Sequence, residues 1–223
     1  RIHTIVGMTS AQVGKTETFL NNPVGYFIAQ DPSPILVIQP TLEMAQTWSK
    51  DRFAPMLRDS PALKDLVQDP RARSSNNTIL HKTFAGGHIT MAGANSASSL
   101  ASRPIRIVFL DEVDRFPTSA GTEGDPVSLA KKRTTTFWNR KIIMTSTPTV
   151  KGASRIEQAF LESDQRKYYV PCPKCGEYQI LMWSNIRWDQ DENQKHLPDT
   201  AHYVCDHCEY KMKESDKSRL LLG

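Results

Sequence analysis

Cysteine is scarce in this chain of 223 residues: four in all, falling as two pairs, Cys172/Cys175 and Cys205/Cys208. A disulfide framework would suit a small secreted chain, and nothing else in the sequence suggests secretion. No run of about 18 apolar residues occurs, which excludes a membrane-spanning helix. No signal peptide is visible in the given sequence, and no internal repeat is seen. Strong charge of one sign is missing too: the net charge of +4 tolerates a nucleic-acid partner without arguing for one. The chain opens on Arg1 in place of methionine, so a missing N-terminus is expected. With 39% hydrophobic and 23% charged residues the composition is that of a soluble globular protein. The length suits one medium domain plus a small one.

Short β-rich runs alternate with helical patterns. Strands are expected at Ile2–Val6, Ile35–Ile38, Ile107–Leu110 and Ile142–Met144, with a weaker candidate at His88–Met91. Continuous apolar runs such as IVFL are those of strands buried on both faces. Helical spacing recurs at Met44/Trp48 and at Val127, Ala130, Thr134 and Phe137 after an Asp125-Pro126 start. Ser154 to Glu157 fits a capping box before Ile156. Pro23 falls inside the helix expected after the opening loop and predicts a kink or break. Residues 93–102, GANSASSLAS, read as a mobile loop. Strands alternating with helices predict a parallel α/β sheet. Beyond about residue 165 the pattern changes to turns and cysteine pairs, a separate small module.

Three stretches carry chemistry. Thr9–Thr16 reads TSAQVGKT and ends as a phosphate-binding loop, with Thr9 where the usual first glycine stands. Gly14 lets the backbone turn closely, Lys15 offers a point charge between the β- and γ-phosphates, and Thr16 offers a hydroxyl to Mg²⁺. GKT alone is a common string, so a second element has to decide. The IVFL strand supplies it by ending in Asp111-Glu112. A strand end delivers Asp111 to the Mg²⁺ hydration shell and leaves Glu112 to polarise water, whereas isolated acid pairs are simply solvated. The third stretch, Thr145-Ser146-Thr147-Pro148-Thr149, is either a hydroxyl sensor of the γ-phosphate or a plain turn set by Pro148.

The cysteines form the strongest purely chemical signal. CPKCG and CDHC are separated by 29 residues and match a tetrahedral Zn²⁺ site of Cys172, Cys175, Cys205 and Cys208. Free thiols or two disulfides are the bland alternatives, and His202 or His207 is not needed as a ligand. Thioredoxin-type redox chemistry needs one CxxC, so two favour metal in a reducing cytoplasm. Lys174, Arg187, Lys195, Lys211 and Lys213 with Trp183 and Trp188 either meet DNA or form a solvated face over a small core, the plainer reading.

In this order the three stretches resemble the ATPase domain of large terminase subunits, the DNA-packaging motors of tailed bacteriophages. The resemblance rests on SAQVGKT, on VFLDEVDRFP (108–117) and on TSTPT (145–149). DPSPILVIQPTLEMAQTWSKDRFAPM (31–56) and the cysteine pairs resemble the lambda-type, GpA-like branch. The family implies an ASCE-type P-loop α/β fold, a mostly parallel sheet flanked by helices, over residues 1–165. A zinc-ribbon-like module over 166–213 follows, and 214–223 is read as the start of a linker or helix toward a nuclease domain. That domain is expected to lie outside this chain, so no DNA cleavage is expected.

The resemblance assigns ATP binding to Ser10, Ala11, Gln12, Val13, Gly14, Lys15 and Thr16, and Mg²⁺ to Thr16 and Asp111. Catalysis falls to Glu112 and Lys15 with an arginine, and coupling to Thr145, Ser146 and Thr147. Many terminases carry an arginine inside the loop, but that slot holds Ala11 or Gln12 here. Arg103 stands where relatives carry a trans-acting arginine, with Arg71 and Arg73 as rivals; each also reads as a surface charge or a DNA-phosphate contact. Should Glu112 not act, Asp114 is the neighbouring acid. Implied cofactors are ATP, Mg²⁺ and Zn²⁺. Implied partners are double-stranded viral DNA, the terminase small subunit, a procapsid portal and sister copies in a ring. The implied location is the host bacterial cytoplasm, with transient docking at the portal and no membrane. A helicase-like translocase, or a zinc-dependent DNA-binding fragment inactive as an ATPase, are the rival readings.

Overall fold

The computed structural model describes residues 2–67, 77–101 and 103–218. The chain divides into two compact units, Arg1–Asp164 and Gln165–Gly223. In the first, β1 (Thr4–Met8), β2 (Pro34–Gln39), β3 (His81–Phe84), β4 (Gly87–Gly93), β5 (Ile107–Asp111) and β6 (Lys141–Ser146) build one sheet. Its order is β1-β6-β5-β2-β4-β3. Neighbouring strands run parallel except β3, which is antiparallel to β4. The five expected strands are all present; β3, with the polar sequence HKTF, offered no apolar run to detect.

The central strands are apolar at consecutive positions because both faces are covered. Leu36, Ile38, Val108 and Leu110 face one core with Leu100, Val127 and Ile156. Ile35, Val37, Ile107 and Phe109 face the other with Leu20, Val24, Trp48 and Phe53. The covering helices are α1 (Asn22–Ala29), α2 (Leu42–Trp48), α3 (Ala54–Asp59), α4 (Ala97–Ala101), α5 (Pro126–Lys132) and α6 (Arg155–Leu161).

Pro23 does not break its helix. Helical backbone runs from Lys15 to Ala29, and Glu17–Asn21 widens into a π-turn. There the Asn22 N–H bonds the carbonyl of Glu17, five residues back. Proline lacks an N–H and clashes with the carbonyl four residues earlier; a wider turn just ahead of it accommodates both. The same arrangement precedes Pro55, where Ser49–Phe53 is a π-turn and the Ala54 N–H bonds Ser49.

Three further expectations are corrected. Residues 93–101 do not form a mobile loop: Gly93 completes β4, and α4 follows with Leu100 only 1% exposed; residue 102 lies outside the described residues. Ala94 and Leu100 are buried in the core and Ala97 packs against it, which anchors the segment. The helix after Asp125 stops at Lys132, short of Phe137. Thr134 and Thr135 hydroxyls bond the carbonyls of Lys131 and Lys132, the local competition that makes such residues poor helix formers. The capping box at α6 is half made. Ser154 accepts from the Glu157 N–H, but the Glu157 carboxylate turns to the Gly152 N–H.

The second unit pairs β7 (Val170–Pro171) with β8 (Tyr178–Gln179). It also holds an antiparallel sheet of β9 (Ile186–Gln190), β10 (His196–Val204) and β11 (Lys211–Met212), ordered β11-β10-β9. Its core is small: Cys172, Cys205 and Met212, with Tyr203, Cys208 and Tyr210 against them. Among the described residues no helix is long and apolar enough to cross a membrane.

Leu100→Ala should lower stability by about 2–5 kcal/mol, the usual cost of emptying a buried leucine site. Urea unfolding of the first unit checks this. A loss below about 0.5 kcal/mol, the range of a surface substitution, would contradict the burial of Leu100.

Candidate active site

Parallel pairing puts the C-terminal ends of β1, β6 and β5 side by side. In register, Gly7 lies opposite Thr145 and Thr145 opposite Asp111. The loop leaving β1 and the acids leaving β5 therefore meet across the end of β6. Ser10 to Gly14 are exposed; Lys15 and Thr16 are half-buried at the start of the helix. Gln12 (φ 58°) and Gly14 (φ 80°) are left-handed, so the loop coils back on itself. Consecutive N–H groups in such a coil make an anion-binding concavity. A Cβ at Gly14 would meet no atom within 4 Å, so its backbone conformation, not crowding, is what favours glycine there.

Lys15, Asp111 and Glu112 converge. The Lys15 Nζ lies 3.7 Å from Asp111 Oδ1 and donates directly to Glu112 Oε1. Asp111 is 6% exposed. Its Oδ1 accepts from Thr145 Oγ1 at 2.8 Å and its Oδ2 from Gln39 Nε2 at 3.1 Å. Glu112 has a left-handed backbone (φ 57°, ψ 48°), a conformation that costs an ordinary residue roughly 1–2 kcal/mol. Such strain is held only where surrounding structure fixes it, and it separates the directions of two adjacent carboxylates.

Ser146 is fully buried. Its carbonyl accepts from the Thr9 N–H at 3.3 Å, and its hydroxyl accepts from the Asp114 N–H and donates to the Thr147 carbonyl. The TSTPT stretch is therefore more than a plain turn: Thr145 holds Asp111, and Ser146 ties the base of the phosphate loop to the acidic segment. Arg103 is exposed and lines a separate cavity with His81 and Thr90. Arg71 and Arg73 lie outside the described residues.

Two residues carry weight that motif reading missed. Gln39 is 3% exposed and ends the apolar run PILVIQ; a polar side chain closing such a strand was the available signal. Asp114 was held in reserve as a base, but its oxygens are already engaged. They accept from Thr149 N–H (2.9 Å), Thr149 Oγ1 (3.0 Å) and Ile156 N–H (2.8 Å). Burial alone would raise the Asp114 pKa, but the Ile156 N–H, Ser154 and Thr149 together hold it below the ordinary value. Asp114 thus links the acidic segment to TSTPT and to the start of α6.

The loop fits a nucleotide on evidence of its own. Thr9 Oγ1 is buried without a partner among the described residues, a donor left for a ligand beside the exposed coil. Asp111 and Thr16 offer the oxygen chemistry that Mg²⁺ takes.

In the second unit the four sulfurs lie within 4.8 Å of one another. Cys172 to Cys208 is 3.7 Å and Cys175 to Cys205 is 3.9 Å. Sulfurs about 2.3 Å from a tetrahedral ion stand about 3.8 Å apart, whereas a disulfide needs about 2.0 Å. The two knuckles are alike: Gly176 N–H bonds Cys172 O, and Glu209 N–H bonds Cys205 O, both at positive φ. Burial would raise the Cys205 pKa, but the N–H groups of Cys208 and His207 outweigh it and lower it to about 6, favouring thiolate. Trp183 and Trp188 are exposed, with ring centroids 6.5 Å apart.

A depressed carboxyl pKa contributes stability above the unfolded value, about 4, and loses it as pH falls through the lower folded value. Asp114→Asn should therefore be less stable than wild type at neutral pH, with the difference closing in acid. Urea midpoints at pH 7 and about pH 3 check this. A difference independent of pH would show that charge at Asp114 is not what its donors hold.

Comparison with known proteins agrees with this geometry. The family described as "Phage terminase large subunit gpA, ATPase domain" matches residues 1–223. The large terminase subunit of Enterobacteria phage P21 is 32% identical over 227 residues, covering 97% of this chain and 34% of that protein. That of Escherichia phage lambda is 30% identical over 217 residues, covering 93% and 33%. The chain thus spans about a third of the length of these relatives. Among solved structures, the large terminase ATPase domain of Thermus phage P74-26 matches with a TM-score of 0.52 at 17% identity, covering 80% of this chain and 72% of that one. The HK97 bacteriophage large terminase matches at 0.56 and 14%, covering 73% and 33%. With a mostly parallel α/β sheet and a family match along its whole length, the chain belongs to the ATPase domain family of phage large terminase subunits.

Proposed function

We propose that this chain is a Mg²⁺-dependent ATPase whose turnover drives double-stranded viral DNA through a portal into a procapsid. The convergence of Lys15, Asp111 and Glu112 from two distant stretches carries the reading. Backbone N–H groups from Ser10 to Thr16 cradle the phosphates, and Lys15 neutralises the β/γ oxygens. Thr16 and the Asp111 carboxylate would hold Mg²⁺, which would supply charge neutralisation on those oxygens. Asp111 is fixed by Gln39 and Thr145 and is committed to the metal, so Glu112 is the acid left to orient water and accept its proton. Lys15 and Glu112 pair in the free protein, and a bound polyphosphate draws Lys15 away, which frees the Glu112 carboxylate. This is the ASCE arrangement, in which the base directly follows the metal-associated Asp.

Coupling runs through Thr145, Ser146 and Thr147, since Ser146 bonds both Thr9 and Asp114. Arg103, exposed and placed before the start of β5 whereas the phosphate loop meets its end, is assigned to the transition state of a neighbouring copy in a ring. The small subunit, the portal and host cytoplasm complete the setting. The second unit is a zinc-ribbon-like module whose metal replaces the apolar core it lacks, a structural role supported by the sulfur spacing.

Glu112→Gln keeps size and hydrogen bonding but removes the base. It should bind ATP as wild type does and hydrolyse it at least about 10²-fold more slowly. Single-turnover hydrolysis beside nucleotide affinity, in an assembly shown to be active, tests this; near-normal hydrolysis would remove Glu112 from the chemistry. Strand separation by the wild type would point instead to a helicase.

One Zn²⁺ per chain is expected by elemental analysis, lost in Cys172→Ser. Chelation should unfold the region after residue 165 first, because metal binding there is folding energy. Metal-free folded protein, or disulfides found by mass spectrometry, would refute the site.

A further inference from the structure

Away from the phosphate loop, a cavity of about 260 Å³ is lined by Leu36, His81, Thr90, Ser99, Leu100, Arg103 and Ile105. Register explains the grouping: Thr90 lies opposite both His81 on β3 and Leu36 on β2, so all three share one sheet face. His88, two residues before Thr90, shares that face, and its ring centroid is 5.4 Å from that of His81.

The polar groups of this cavity are donors of one sign. Among the described residues no carboxylate pairs with Arg103, His81 or His88. The His81 Nδ1 is bonded to Thr90 Oγ1 at 2.9 Å, which fixes the ring and leaves Nε2 unassigned. His88 Nε2 is buried with no partner. Ser99 Oγ shares one bond with Ser96 Oγ and has capacity for another. A guanidinium, an imidazole and two hydroxyls converge here with nothing negative between them.

We propose that His81, Arg103, Thr90 and Ser99 form a binding site for a phosphate group. Arg103 reaches it from the exposed rim as a planar, two-donor fork, the geometry that suits phosphate oxygens. His81 donates from the wall when protonated. Its pKa is lowered first by burial and then by Arg103, and that of His88 by burial, His81 and Arg103. An anion seated among them reverses that repulsion, so binding strengthens as pH falls. Among the described residues, the titratable groups facing His81 are His88 on β4 and Arg103 before β5; β2 and α4 contribute Leu36, Leu100 and Ser99. The source is a backbone phosphate of DNA, an assignment that rests on the proposed function; a polyphosphate bound directly in the cavity is the alternative that the test separates. The site stands apart from the role in turnover assigned to Arg103. Unchanged turnover in Arg103→Gln beside a weakened phosphate response would retire that role and leave the site intact.

The test is imidazole NMR of the 223-residue chain titrated with inorganic phosphate in a Lys15→Ala background, which silences the phosphate loop. Phosphate is expected to shift the His81 resonances and raise the His81 pKa. Affinity should fall at least about tenfold in Arg103→Gln, the loss of one charge-assisted contact, and less in His81→Gln, which keeps a donor. Duplex DNA is expected to reproduce the shift; MgATP reproducing it where DNA does not would overturn the assignment to DNA. No His81 response to phosphate, or a response equal in Arg103→Gln, would overturn the site; Arg103 is exposed, so that variant should fold.

Discussion

Asp111 ends its strand with a carboxylate that is only 6% exposed. A charge withdrawn from water this far costs several kcal/mol unless paired and hydrogen-bonded. The first unit is arranged around meeting that need. Gln39 comes from β2, Thr145 from β6 and Lys15 from the loop after β1. Each is placed by the parallel register of the sheet and by nothing local. A one-residue slip in β6 would turn Thr145 to the other face and leave the carboxylate short of a donor.

That dependence explains which residues act and which support. Glu112, next along, is turned by its left-handed backbone and remains partly exposed. Asp114, two further on, is absorbed into structure, joining TSTPT to α6. Three acids within four residues thus take three roles, decided by the donors each one meets.

The strands were legible because IVFL, ILVI and IIM are apolar at consecutive positions, and a sheet covered on both faces requires that. Lys15 and Asp111 were legible because their chemistry prescribes neighbours in sequence. Gln39 was not, since its role exists only once β2 lies beside β5. Helix ends were read less well. Pro23 was absorbed by a π-turn, the threonines after Lys132 ended α5 early, and Leu100 turned a loop-like stretch into α4. In each case a local preference was overruled or redirected by contacts distant in sequence. The cysteines are the opposite case, because CxxC spacing alone predicts the close approach of four sulfurs.

The central claim is that the cluster of Lys15, Asp111 and Glu112 is a nucleotide site. Calorimetric titration of MgATP into wild type and Lys15→Ala, both shown to be folded, tests it most directly. Saturable binding by wild type, weakened at least about tenfold by loss of the lysine charge, is predicted. Equal affinity in the two proteins would contradict the account.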